Sequence, residues 1–146
     1  MADPATLTET VQGLLAALPN IDLYEGSPPL TVRQGVPYLI YYPNPGQAVR
    51  ARLSASYADV RWDSRIVCCG WTPTQVLHTV TAVRDTLTGI RLTDDPADSV
   101  LNEVDNSATV LESAATTATE TAGAGLPRFS FTIQYRFYTN RNQADA

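Results

Sequence analysis

Residues 56–70 read S-Y-A-D-V-R-W-D-S-R-I-V-C-C-G. Ala58, Val60, Trp62, Ser64, Ile66 and Cys68 recur at every second position, and Tyr57, Asp59, Arg61, Asp63 and Arg65 fill the positions between. Side chains of an extended chain point to opposite faces in turn, so this alternation predicts a long, half-buried β-strand. Its polar face carries charges of alternating sign, each with an opposite charge two residues along, and is expected to be wet or to meet a charged partner. At Val67, Cys68 and Cys69 both faces become apolar, as in a strand that passes under a helix.

The chain is read outward from this strand. On its C-terminal side, Thr72 is the expected N-cap of a helix over 73–88, with Pro73 at the first helical position, Gln75 closing a capping box and Trp71 and Val76 as a hydrophobic staple. Val76, Leu77, Val80, Val83 and Leu87 form its expected apolar stripe, with Arg84 at the edge and Gly89 at the left-handed C-terminal position. Ile90-Arg91-Leu92 is a candidate short strand. On the N-terminal side, Leu7, Val11, Leu14, Leu15 and Leu18 mark an amphipathic helix over about 6–18. Two caps compete for its start, Asp3 before Pro4 and Thr6 with Glu9. Ile21 to Tyr24 and Tyr38 to Tyr42 are expected strands; Pro43-Asn44-Pro45-Gly46 stops the second, and 47–55 is a polar connection into the long strand.

The last third divides in two. Residues 93–126 hold Asp94, Asp95, Asp98, Glu103, Asp105, Glu112 and Glu120 and no basic residue, and 113–125 is almost only Ala, Thr, Ser and Gly. This composition predicts an acidic insertion or long loop over 93–127, because so little apolar surface offsets little ordering entropy. Residues 128–138, R-F-S-F-T-I-Q-Y-R-F-Y, alternate again: Phe129, Phe131, Ile133, Tyr135 and Phe137 on one face, Ser130, Thr132, Gln134, Arg136 and Tyr138 on the other. The natural place of this strand is beside the first. Residues 139–146 are a polar tail. The expectation is a single α+β domain over 1–146, with two helices on one face of a mixed, mostly antiparallel sheet of four to five strands.

At 146 residues the chain suits one domain, and its 44% hydrophobic content is ordinary. No apolar run approaches the ~20 residues of a membrane span, and the acidic start is unlike a secretory signal; a cytoplasmic setting is expected. All ten basic residues are Arg and the net charge is −5. An acidic domain without a basic tail argues against specific nucleic-acid binding. The adjacent Cys68 and Cys69 point to opposite faces, so two buried free thiols are expected rather than a disulfide.

Chemistry is sparse. His78 is the sole histidine, without the convergent ligands or orienting partner that a metal site or nucleophile needs. No phosphate-binding glycine loop or nucleophile elbow occurs. Asp94, Asp95 and Asp98 match no calcium loop. Tyr38, Tyr41 and Tyr42 lack the basic neighbours of a base-stacking platform. No catalytic residue, cofactor or metal is expected. Arg50 and Arg52 are candidates for contact with an acidic partner, and with Arg61, Asp63 and Arg65 on the long strand they make up the expected subunit or partner interface.

Four stretches together resemble the tail terminator family of long-tailed, non-contractile (siphovirus-type) actinobacteriophages. They are the amphipathic helix followed by L-P-N-I-D-L-Y-E-G, the P-Y-L-I-Y-Y-P strand, W-D-S-R-I-V-C-C-G-W-T-P-T-Q with its G-x-T-x-x-Q helix start, and the final P-R-F-S-F-T-I-Q-Y-R-F strand. They span most of the chain outside 92–127. The resemblance implies a non-enzymatic virion protein at the head-proximal end of the tail, forming a homo-hexameric ring. Its implied partners are the major tail tube protein and a head-side neck or stopper protein, with DNA passing through the ring. On that reading Asp94, Asp95, Asp98, Glu103 and Asp105 are expected to face the channel. A head-closure or tail-completion protein, or a small ligand-binding domain or enzyme using Tyr38–Tyr42, are the alternatives.

Overall fold

The computed structural model describes residues 4–27, 31–43, 47–49, 59–94, 98–104, 109–113 and 128–138. Among these residues two helices and seven strands follow in the order α1 (Pro4–Ala16), β1 (Asp22–Glu25), β2 (Tyr38–Tyr42), β3 (Gln47–Val49), β4 (Asp59–Gly70), α2 (Pro73–Leu87), β5 (Asn102–Glu103), β6 (Leu111–Ser113) and β7 (Arg128–Tyr138). The strands form one mixed sheet in the order β1-β2-β4-β7-β5. β1 and β2 are parallel, and the other pairs are antiparallel. This is the expected α+β class, with two strands more than the upper end of the sequence reading.

The two alternating stretches pair along nearly their whole length, from Arg61↔Tyr138 to Gly70↔Phe129. This register sets Trp62 opposite Phe137, Ile66 opposite Ile133 and Cys68 opposite Phe131. Directly opposed residues share a face, so all six point to the helix side. Trp62, Ile66, Cys68, Ile133 and Phe137 are buried in one core with Leu7, Val11 and Leu15 of α1 and Val76, Val80, Val83 and Leu87 of α2. Phe131 is only partly buried at the edge of that core, beneath the Arg84 guanidinium, which lies 5.7 Å from its ring centre. Both helices therefore cover the same face.

α1 runs from Pro4 to Ala16, two residues earlier at each end than the 6–18 expected. Thr6 lies inside the helix, since its carbonyl accepts from the Thr10 hydroxyl at 2.9 Å. At the other end Leu18 N–H bonds to Leu15 O at 3.2 Å and Asn20 takes a positive φ of 59°, which turns the chain into β1. α2 begins where its punctuation predicts: the Thr72 hydroxyl accepts from Gln75 N–H at 3.1 Å. The return half of the capping box differs. Gln75 Oε1 accepts from Trp71 N–H at 2.8 Å, one residue before the cap, and its Nε2 donates to Gly35 O at 2.9 Å, tying the helix start to the loop before β2. A Cβ at Gly70 would lie 3.1 Å from both Gln75 Oε1 and Val76 Cγ2, so any larger residue there would push these two side chains of α2 aside by a few tenths of an ångström. Gly89 has φ 79° as expected. Leu77 leaves the expected stripe: it is 54% exposed while Thr79 is buried, because the buried line is set by Val76, Val80, Val83 and Leu87.

Within 93–127 two short described segments join the sheet. β5 pairs with β7 at Asn102↔Arg136 and Glu103↔Tyr135, and β6 at Leu111↔Ser130. Leu101 is fully buried in the core. Ile90–Leu92 does not become a strand. Leu101 N–H donates to Ile90 O and Gly89 N–H to Leu101 O, both at 2.8 Å, which binds this segment to the end of α2. Residues 105–108, 114–127 and 139–146 lie outside the described residues.

Candidate functional site

The helices leave the other face of the sheet uncovered by either of them. Alternation along β4 puts Arg61, Asp63, Arg65, Val67 and Cys69 there, and the register brings in Tyr38, Ile40 and Tyr42 from β2 and Ser130, Thr132, Gln134, Arg136 and Tyr138 from β7. The face has two halves of different chemistry.

The half toward Gly70 is apolar. Tyr38, Ile40 and Cys69 are buried, with Tyr24, Val32, Tyr42 and Val67 partly buried against them. Tyr24 and Tyr38 meet edge to face, with ring centres 5.8 Å apart. Burial pushes the Tyr38 hydroxyl up to about 12 and the Cys69 thiol up to about 11. Arg128 closes this half, with its guanidinium 5.2 Å from the Trp71 ring and Nη1 donating to the Tyr38 hydroxyl at 3.5 Å. Cys68, on the other face, is buried in the main core, so the two thiols point apart as expected and both are free.

The half toward Asp59 is charged. Arg61 donates to Asp63 Oδ2 from Nε at 3.1 Å and from Nη2 at 2.9 Å. Arg136 donates from Nε to Oδ1 of the same carboxylate at 2.8 Å. Partial burial raises the Asp63 pKa, but the hydrogen bonds from Arg136 and Arg61 outweigh it, and the carboxyl titrates below its ordinary value. Arg65 behaves differently. It stands 4.5 Å over the Tyr42 ring, a cation–π contact, and has no ion-pair partner among the described residues. With Tyr42, Pro43, Asp63, Ser64 and Gln134 it lines a shallow cleft of about 300 Å³. Tyr138, 41% exposed, ends the row.

Of the partner-contact candidates, Arg61, Asp63 and Arg65 thus come together on one surface. Arg50 and Arg52 lie outside the described residues. Tyr42, Gln134, Arg136 and Tyr138 complete the surface. Alternation had put the β7 members on the outward face, but nothing local marked Arg136 as the second partner of Asp63.

The acidic candidates are scattered. Asp94 is exposed. Asp98 is turned into the fold, 4% exposed, where Oδ2 accepts from the Thr93 hydroxyl at 2.8 Å. Glu103 accepts from Arg84 Nε at 2.6 Å. Asp95 and Asp105 lie outside the described residues.

A larger cleft of about 600 Å³ opens between the end of α1, the loop before β2 and the start of α2, lined by residues including Ile21, Arg33, Val36, Gln75 and His78. Arg33 is held in an ion pair by Asp22. Neither cysteine lines this cleft, so no Cys–His pair forms there. Among the described residues no group of three or more His, Cys, Asp or Glu side chains comes together. No described helix is long and apolar enough to cross a membrane.

No protein-family model matches the chain, and no curated protein matches it. Among solved structures, the chain is similar to one in the "Virion of native gene transfer agent (GTA) particle", at 13% identity, covering 93% of this chain and 92% of that chain with a TM-score of 0.46. A likeness at that level carries no argument about function.

Proposed function

We propose that this chain is a structural virion protein that caps the tail tube of a long-tailed, non-contractile phage as a ring. On this reading it ends tube polymerisation and supplies the joint to the head-side connector. The observation that carries the reading is the uncovered face of β4 and β7. Two long strands bury one face against helices and hold the other outward, with an ordered Arg61–Asp63–Arg136 network and an Arg65–Tyr42 stack upon it. Arg and Tyr are enriched where proteins meet one another. The sequence resemblance runs through the same elements, since the W-D-S-R-I-V-C-C-G-W-T-P-T-Q stretch is the β4–α2 junction.

The reading assigns the chain no catalytic chemistry, no cofactor and no specific grip on nucleic acid. A tube grows because each added subunit offers the next one the same contact. A ring that matches the tube on one side and differs on the other stops that growth, and contacts repeated around the ring bind strongly even when each is weak. Phage lacking this chain should give filled heads without joined tails, together with tails of irregular or excessive length. Attached tails of normal length in such a mutant would overturn the reading.

A further inference from the structure

The uncovered face is electrostatically at odds with the rest of the chain. In the charged half, Arg61, Arg65 and Arg136 stand around the Asp63 carboxylate, on a protein of net charge −5; Asp22, opposite Tyr38 at the far edge, is paired with Arg33. Asp63 already serves two guanidiniums, so among the described residues Arg65 has no carboxylate partner and stands open to one that docks on the face. Stacking on Tyr42 holds the guanidinium plane without using its N–H groups, which suits it to a carboxylate.

The acidic counterpart is on the far side of β7 from β4. Edge strand β6 carries Leu111, 61% exposed, and Glu112, also exposed. Leu111 pairs with Ser130, and Tyr138 pairs with Arg61. Eight residues of β7 separate these two ends, roughly 26 Å at ~3.3 Å per residue. Arg65 lies opposite Gln134 and Glu112 opposite Phe129, five residues and roughly 16 Å apart along the strand. Glu112 of one chain therefore does not reach Arg65 of the same chain. Leu111 and Glu112 point to alternate sides of the outermost strand, so this edge offers an apolar and an acidic group together. They belong to the stretch that holds seven carboxylates and no basic residue.

We infer that a second copy of the chain docks head to tail on this face, the β6 edge of one subunit meeting the Arg65–Tyr42 surface of the next, with Glu112 on Arg65 and Leu111 beside Tyr42. Two unlike surfaces of the same chain make a heterologous contact, which closes into a ring when the rotation permits. The inference rests on the ring reading above and names its subunit contact.

The test uses charge reversal on the purified full chain, with assembly followed by sedimentation velocity. Arg65→Glu and Glu112→Arg should each raise the concentration needed for half-assembly by about tenfold or more, because attraction becomes repulsion at every contact. Mixed one to one, the two variants should recover wild-type assembly to within about twofold, since a head-to-tail contact then pairs opposite charges at every junction of an alternating ring. Far-UV circular dichroism checks that each variant is folded. Single variants that assemble like wild type, or a mixture that fails to recover, overturn this contact and leave the capping reading standing. A wild-type chain that stays monomeric at every concentration overturns both the contact and the ring, whereas the capping reading alone fails on the tail-length phenotype.

Discussion

Arg136 and Asp63 face each other across the β4–β7 pair, and Arg136 Nε donates to Asp63 Oδ1 at 2.8 Å. Arg61 takes the other carboxylate oxygen, so one acid joins two strands and two guanidiniums. Its depressed folded pKa fixes the sign of the pH dependence. The stabilisation is present above the ordinary carboxylate value of about 3.9 and is lost as pH falls through the lower folded value. Asp63→Asn should cost about 1 kcal/mol at neutral pH and should flatten the loss of stability in acid. Urea denaturation at pH 7 and pH 3 measures both; an unchanged acid slope contradicts the assignment.

Trp62 is fully buried opposite Phe137, and its indole N–H has no hydrogen-bond partner among the described residues. Trp62→Ala should cost about 3–5 kcal/mol through the cavity it leaves. Trp62→Phe should cost clearly less, since it keeps an aromatic side chain and removes the unmet donor. Thermal melts of the two variants decide the order.

Leu101 is buried although it lies in the stretch whose composition suggested a loop. Leu101→Ala should destabilise by about 2–5 kcal/mol, while Asp94→Asn, on the exposed turn nearby, should stay within about 0.5 kcal/mol. Equal effects would mean that 98–104 is not part of the cooperative fold.

Much of this architecture is legible locally. The period-two patterns of β4 and β7 assign every residue of those strands to a face, and Thr72-Pro73 with Gln75 sets the start of α2, because alternation and capping depend on neighbours a few residues away. What escapes is long-range. β5 and β6 are two and three residues long, too short to show a period, and their strand geometry comes from the waiting edge of β7. The Arg84–Glu103 pair joins residues nineteen apart, and Arg136 meets Asp63 across seventy-three. At the candidate site, the paired signs of Arg61 and Asp63 were visible, but the Arg65–Tyr42 stack depends on the β2–β4 register.

Both thiols should be silent in the folded protein. Burial pushes Cys68 far up, and pushes Cys69 up to about 11, while the thiolate is the reactive form. Iodoacetamide at pH 8 should leave both unmodified in the native chain and label both in urea, as read by intact mass. Rapid labelling of the folded chain would contradict the packing of β4 between its two apolar clusters.

The central claim is that this chain ends tube growth, and the most direct measurement is tube length against time. Purified tail tube protein of the same phage is allowed to polymerise, this chain is added partway, and lengths are read by negative-stain electron microscopy. The account predicts that elongation stops on addition and that a ring appears at one end of each tube. Tubes that continue to lengthen at the rate of the untreated sample, with bare ends, would contradict it.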